Sequence, residues 1–188
     1  MAKKTKYVEA FTTAAENVGS QVVSFSDIDQ ALEYVGQHGG GSVVVPTSPF
    51  SQRLALTKRL QQSGLSVITE NFRETARNAA SGITGVNFAL ADTGTLVLES
   101  TDEAIRLTTT LPKRHFALLD PRKILADGLA AVKPLRTMHQ RDPRNYIAYI
   151  TGPSRTADIE RVLTIGVHGP KELHILLVPG ISDDLMEM

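Results

Sequence analysis

Two turns rich in glycine and proline, in the C-terminal part of the chain, contain the residues best suited to hold an anion. The first turn runs from Gly152 to Arg155, before a predicted short helix whose N-cap is Ser154 or Thr156. Main-chain N–H groups at such a helix start, together with Gly152, the Ser154 hydroxyl and the Arg155 guanidinium, could hold a carboxylate or a phosphate. An ordinary capped helix explains the same residues, and Asp158 in its first turn would compete with an anion. The spacing alone leaves both interpretations open.

The second turn, from Gly166 to Pro170, places His168 between two glycines. A histidine titrates near neutral pH and could act as a general acid or base, while Gly169 would let the main chain approach the same ligand. An exposed loop histidine is the simpler interpretation. No HxxxH or HExxH pattern includes His168, so the sequence predicts no metal site there.

A third group of candidates lies on a predicted β-hairpin. The turn of this hairpin offers Asp92 as a general base and the N–H groups of Thr93 and Gly94 as an oxyanion site. The same Asp-x-Gly pattern is typical of an ordinary hairpin turn. Glu99 ends the hairpin, and it would be a candidate carboxylate nucleophile if its strand faces a pocket; an exposed glutamate is the other interpretation.

The composition excludes several classes of site. The chain has 188 residues, with no cysteine and with 20 basic and 20 acidic side chains. Without cysteine it can form no disulfide, no thiol nucleophile and no cysteine-ligated iron–sulfur cluster. The zero net charge and the absence of tryptophan provide neither a general field nor a stacking platform for nucleic acid. Nucleic-acid binding through the basic stretch 133–144 is therefore the weakest hypothesis.

The distribution of apolar residues gives no sign of a membrane segment. No apolar run reaches the roughly 20 residues that a helix needs to cross a bilayer. The N-terminus, MAKKTKYVEAF, is basic but is not followed by the apolar stretch of a signal peptide. We therefore expect a cytoplasmic protein without a membrane span.

Short apolar runs alternate with helical patterns, which predicts an α/β domain with a mainly parallel central sheet and an antiparallel hairpin as an insertion or edge. We expect one domain over 1–188, with N-terminal helices in 1–40, the core in 41–178 and a flexible tail in 179–188. In parallel sheets ligands bind beyond the carboxyl ends of the strands, so the loops after 42–45, 115–119 and 146–150 are expected to converge. The pattern predicts helices over 8–18, 27–35, 51–62, 74–80 and 121–132, strands over 42–45, 65–69, 86–90, 95–99, 115–119, 146–150 and 174–178, and a loop over 133–145.

Two blocks of the sequence resemble the lactate-utilization protein C family of LUD-domain proteins. One is TGPSRTADIE followed by GVHGP, and the other is ITGVNFALADTGTLVLES. The resemblance implies a Rossmann-like three-layer α/β/α sandwich, similar to the NagB/RpiA/CoA-transferase fold. It also implies a role in oxidising L-lactate to pyruvate beside partner proteins that carry iron–sulfur clusters, with no cofactor in this chain.

The resemblance and the residues together support two hypotheses. In the first, the chain is an accessory subunit of a lactate-oxidising assembly and binds a small anionic ligand through Gly152 and Ser154, with Asp92 and His168 nearby. In the second, it is a free-standing isomerase, CoA transferase or ligase acting on a phosphorylated or acyl substrate. Asp92 or Glu99 would then be the catalytic carboxylate.

Overall fold

Parallel strands form the centre of the computed structural model, which describes residues 2–142, 144–156 and 164–188. The strands in chain order are β1 (Gln21–Ser24), β2 (Ser42–Val44), β3 (Ser66–Ile68), β4 (Ser81–Gly85), β5 (Phe88–Leu90), β6 (Thr95–Glu99), β7 (Arg114–Leu119), β8 (Ile124–Leu125), β9 (Ile147–Ile150), β10 (Arg155–Thr156), β11 (Thr164–Ile165) and β12 (Glu172–Leu177). The helices are α1 (Ala2–Asn17), α2 (Ile28–His38), α3 (Pro49–Arg53), α4 (Leu56–Gln62), α5 (Phe72–Thr75), α6 (Glu103–Thr110) and α7 (Gly128–Arg141), with single 3₁₀ turns at Ala76–Asn78 and Pro121–Lys123.

The strands form one large sheet and two smaller ones. The central sheet has six strands in the order β1-β12-β7-β4-β2-β3, and all its neighbouring strands pair in parallel. The predicted hairpin, β5 and β6, belongs to a separate four-stranded sheet ordered β8-β5-β6-β9. Among the described residues, strands β10 and β11 pair with each other and with no further strand. The predicted α/β fold with a mainly parallel sheet is confirmed, and the hairpin lies in a second sheet that packs on the first.

The two faces of the central sheet bury different partners because side chains alternate along each strand. On one face, Phe116 and Leu118 of β7 pack with residues of α2, α3 and α4. On the other face, Ala117 and Leu119 pack with Phe11 of α1 and with residues of the second sheet. Helix α7 covers the outer side of that second sheet through buried apolar residues, Ala131 and Met138. Every layer of the domain is thus held by an apolar face.

Several elements differ from the sequence-based predictions. Strand β4, SGITG, was not predicted because its small residues do not form an apolar run, yet all five are buried between β2 and β7. The stretch expected as a loop over 133–145 forms most of α7, despite Pro134 in its interior. This helix begins after Asp127, whose side chain accepts a hydrogen bond from the main-chain N–H of Ala130 at 2.8 Å. The predicted helix over 51–62 is split at Ala55, which has a left-handed conformation (φ 50°).

Both ends of the chain are tied to the core. The region 1–40 contains β1 as well as helices, and β1 pairs with β12 in the central sheet. The segment 179–188, expected to be flexible, packs instead: Ile181 and Ser182 are buried, and the Ser182 N–H donates to Oδ2 of Asp120 at 3.2 Å. Of the helices described, none is both long and apolar enough to cross a membrane.

Candidate functional site

Most of the predicted site residues line one cleft near the amino ends of β7 and β12, here called the amino-end cleft. Its volume is about 430 Å³. Its walls come from the end of α6, the starts of β7 and β12, strand β9 and two turns that follow β9 and β11. The structure brings five predicted residues together there, namely Gly152, Ser154, Arg155, His168 and Gly169.

The two turns of the amino-end cleft are fastened to each other through the main chain. The N–H of Ser154 donates to the carbonyl oxygen of Pro170 at 2.9 Å, and the N–H of Gly166 donates to the carbonyl oxygen of Ser154 at 2.8 Å. A Cβ on Gly169 would lie 2.9 Å from Cβ of Ser154, so only glycine permits this approach. Because its N–H is already used, Ser154 can offer a ligand its hydroxyl but not its main-chain donor.

Gly152 has a structural role that the sequence did not reveal. Its φ is +76°, and a Cβ there would lie 2.4 Å from the carbonyl oxygen of Val18, just after α1. The Arg155 guanidinium lies beside Gly19, which follows Val18 in the turn after α1: a Cβ on Gly19 would be 3.0 Å from Nη2 of Arg155. The turn is therefore held against the end of α1, and this contact places Arg155 at the cleft.

The charged side chains described in the lining of the amino-end cleft are basic. Arg155 and His168 line it, and the described lining contains no aspartate or glutamate. Within the described chain, no carboxylate forms an ion pair with Arg155. A guanidinium offers planar donors that match a carboxylate or a phosphate.

A second histidine, His115, lies in the wall of the same cleft and was not among the predicted site residues. Its side chain is buried, with Nε2 2.9 Å from Oγ1 of Thr84, and its Nδ1 has no hydrogen-bond partner in the structure as described. Burial, and to a lesser extent the nearby His174, lowers the pKa of His115 to about 4, so the ring is neutral at pH 7. The sequence offered one signal for this residue: His115 is the polar first residue of the otherwise apolar run HFALL.

The Asp92 turn lines neither this cleft nor the one described next. Gly94 has a φ of +65°, and a Cβ there would lie 2.3 Å from the main-chain nitrogen of Ala15, so the turn packs against α1. The Gly94 N–H, expected to be free for an oxyanion, donates to the carbonyl oxygen of Leu90 at 3.0 Å. Asp92 and Thr93 are both exposed. The hairpin interpretation accounts for this turn.

A chain of hydroxyl groups nevertheless connects this turn to the amino-end cleft. Oγ1 of Thr95 lies 2.8 Å from Oγ1 of Thr93 and 2.8 Å from Oγ1 of Thr151, which lines the cleft. The Asp92 turn and the His168 turn are thus linked through the second sheet, but they do not share a cavity.

Glu99 lies in a different cleft, at the carboxyl ends of β2 and β4, here called the carboxyl-end cleft. Its volume is about 480 Å³. The Glu99 carboxylate accepts hydrogen bonds from the N–H and the hydroxyl of Thr101. The charged residues in the lining are Arg141 and five carboxylates, those of Glu99, Asp102, Asp142, Asp184 and Glu187. This cleft is therefore acidic, and Glu99 cannot act together with His168 on one small ligand.

Comparison with known proteins places the chain in a family. Residues 8–178 match the model of the LUD domain. The chain belongs to the LUD-domain family. It is 31% identical over 155 residues to lactate utilization protein C of Anoxybacillus flavithermus, covering 80% of this chain and 69% of that protein. It is 32% identical over 163 residues to lactate utilization protein C of Bacillus subtilis, covering 80% of this chain and 68% of that protein.

A solved structure supports the fold of this LUD domain. The crystal structure of a DUF162 family protein from Deinococcus radiodurans superposes with a TM-score of 0.69 at 17% identity, covering 93% of this chain and 98% of that one. At this level of identity the likeness concerns the fold alone.

One predicted element of the LUD domain falls partly outside the described residues. Ser154 is followed by strand β10, which contains Thr156, so Ser154 does not begin a helix. The rest of the predicted helix, with Asp158 and Glu160, lies outside the described residues. The other predicted start, at Thr156, concerns a helix that lies outside the described residues as well. Within the described residues, the side chains that carry the anion-binding interpretation are Arg155 and His168.

Proposed function

We propose that this LUD domain is the cluster-free subunit of an assembly that oxidises L-lactate to pyruvate, and that it binds a small carboxylate in the amino-end cleft. The observation that carries the proposal is a cleft lined by Arg155 and His168, without a described acidic residue, in a chain similar to lactate utilization protein C. The partners would be proteins with iron–sulfur clusters, as the family resemblance implies.

The chemistry of the cleft fits a 2-hydroxy or 2-oxo acid. Arg155 would bind the carboxylate through two parallel N–H donors. The hydroxyl of Ser154 and the imidazole of His168 would contact the oxygen on the adjacent carbon, and the imidazole would exchange the proton of that oxygen. Conversion of lactate to pyruvate releases two electrons and two protons. Since the chain has no cysteine to hold a cluster, the electrons would pass to clusters in the partner proteins.

Two experiments test the assembly. The tagged chain, expressed in its own host during growth on L-lactate, is expected to co-purify with proteins whose absorption spectra show iron–sulfur clusters. Deletion of its gene is expected to abolish growth on L-lactate but not on pyruvate. The wild-type chain should restore growth, and the Arg155→Gln variant should not. Unimpaired growth of the deletion strain, without any recovered complex, would contradict the proposal.

A second candidate function rests on Glu99. This carboxylate lies at the carboxyl ends of parallel strands, where α/β enzymes usually hold their substrates. A free-standing isomerase, CoA transferase or ligase would use Glu99 rather than Asp92, because Asp92 lines neither cleft. The acidic lining disfavours phosphorylated substrates. Turnover by the purified chain that Glu99→Gln abolishes would support this function, and an unchanged melting temperature with acyl-CoA and sugar phosphates would contradict it.

A further inference from the structure

Three nitrogen donors follow the carboxyl ends of three adjacent strands of the central sheet. Arg53 ends the helix after β2, Asn87 lies after β4, and Lys123 lies after β7. Because β2, β4 and β7 are neighbours in the sheet, these side chains converge on the crevice beyond their carboxyl ends. That crevice is where open α/β sheets most often bind a ligand.

In this structure the crevice is filled by residues 181–188, here called the closing segment. Arg53 donates from Nε and Nη2 to the two carboxylate oxygens of Glu187, at 2.8 and 2.6 Å. The Lys123 ammonium donates to the carbonyl oxygen of Glu187 at 2.7 Å. The Asn87 amide donates to the carbonyl oxygen of Leu185 at 3.1 Å. All three donors are therefore satisfied by a single segment of the chain.

Burial makes these contacts important for two of the three donors, since Arg53 is half exposed. Lys123 and Asn87 are each only 1% exposed. A buried ammonium or amide without a partner is costly, so each needs an acceptor in the crevice at all times. Burial lowers the pKa of Lys123 to about 8, so most of it stays charged at neutral pH. The hydrogen bonds from Arg53 lower the pKa of Glu187, which remains a carboxylate.

Glu187 thus makes the contacts that a bound ligand would make: its carboxylate binds Arg53 through two hydrogen bonds, and its carbonyl oxygen accepts a hydrogen bond from buried Lys123. The main chain of Met188 packs against the end of β4, because a Cβ on Gly85 would lie 3.1 Å from it.

We propose that this crevice is a second ligand site, for a small carboxylate that also bears a carbonyl oxygen, and that Glu187 occupies it as a competitor within the same chain. Ligand binding would then displace the closing segment. The site shares no residue with the amino-end cleft, so its test is independent of the lactate-oxidising function proposed above. It borders the carboxyl-end cleft, whose lining includes Asn87 and Glu187. A ligand can bind only those molecules in which the crevice is open. Its apparent Kd is therefore its intrinsic Kd divided by the fraction of molecules with an open crevice.

The test uses the full chain and N-acetyl-L-glutamate α-amide, a probe that carries the side chain and the flanking carbonyl groups of Glu187. Titration calorimetry is expected to give at least about tenfold tighter binding to Glu187→Ala than to the wild type, because the competitor is removed. The control is Asp183→Ala, which removes the same charge from the same segment. In the described structure the Asp183 carboxylate pairs with exposed Arg122 and with none of the three donors of the crevice. It should bind like the wild type. The matching glutamine α-amide, which lacks the carboxylate, should not bind.

A second measurement uses the wild type and does not depend on any variant. Amide hydrogen exchange in 181–188 is expected to become faster as the probe is added. Arg53→Gln in the Glu187→Ala background should abolish binding, while Arg155→Gln should leave it unchanged. If Glu187→Ala gains no affinity over Asp183→Ala, or if exchange in 181–188 does not respond to the probe, the closing segment is a structural clasp and the proposal fails.

Discussion

Oγ1 of Thr84 lies 2.9 Å from Nε2 of His115, while Nδ1 of the same ring has no partner in the structure as described. Burial, and to a lesser extent the nearby His174, lowers the pKa of this ring to about 4. His115 is accordingly a neutral residue in the wall of the amino-end cleft, whereas His168 at its rim is exposed.

The pKa of His115 predicts acid-dependent stability. A histidine with a pKa lowered from 6.5 to about 4 stabilises the fold fully above pH 6.5, and this contribution is lost as the pH falls toward 4. We expect the loss to reach roughly 3 kcal/mol of unfolding free energy. Urea titrations of the wild type and of His115→Gln at pH 7 and pH 4 isolate the effect. The variant should lose less stability over this range, and equal losses would contradict the assignment.

The packing of the Asp92 turn against α1 predicts a large effect of Gly94→Ala. The new Cβ would overlap main-chain atoms of Ala15, which no rotamer change can relieve. Gly64→Ala is the matched control, because Gly64 also has a positive φ but faces open space. Urea unfolding is expected to show Gly94→Ala less stable than Gly64→Ala by roughly 2 kcal/mol. Similar values for the two variants would mean that the turn does not pack on the helix.

The contact between Gly169 and Ser154 predicts that the amino-end cleft is sensitive to one methyl group. In Gly169→Ala the new Cβ would press on Cβ and Oγ of Ser154, at 2.9 and 3.1 Å. We expect a loss of about 1 kcal/mol in unfolding free energy and weaker carboxylate binding, because Ser154 must move. Gly128→Ala, at the start of α7, where a Cβ meets nothing within 4 Å, should neither lower the unfolding free energy nor weaken carboxylate binding. Wild-type behaviour of Gly169→Ala in both assays would contradict the cleft geometry.

The elements that the sequence predicted well are those with a strong local signal. Strands β7 and β12 end in the apolar runs FALL and ILL, and Asp27 begins α2 as expected, accepting a hydrogen bond from the N–H of Gln30. Strand β4 escaped prediction because its burial comes from its position between β2 and β7 and not from its own composition. The helix predicted over 121–132 overlaps α7 only from Gly128 onward, because a 3₁₀ turn and strand β8 occupy 121–125. The second half of α7 escaped because lysine, arginine and proline obscure an apolar face of only a few residues, among them Met138.

The candidate site was predictable only as far as local sequence signals reach. The turns that carry Arg155 and His168 meet as expected, because strands β10 and β11 lie next to them and pair with each other. The expected convergence with the loop after β2 does not occur, since β9 pairs with β6 in the second sheet and its end lies away from the central carboxyl edge. Strand pairing between distant segments has no local signal, so the sequence could not divide the candidates between two clefts.

The most direct test of the proposed function is a titration of the purified chain with pyruvate and L-lactate, followed by NMR or calorimetry. Saturable binding is expected, and Arg155→Gln should weaken it by about tenfold or more, the usual effect of losing a charge-assisted hydrogen bond. Arg141→Gln, which removes the arginine of the carboxyl-end cleft, should leave it unchanged. Absence of binding, or equal affinity in the wild type and Arg155→Gln, would contradict a carboxylate site at the amino-end cleft.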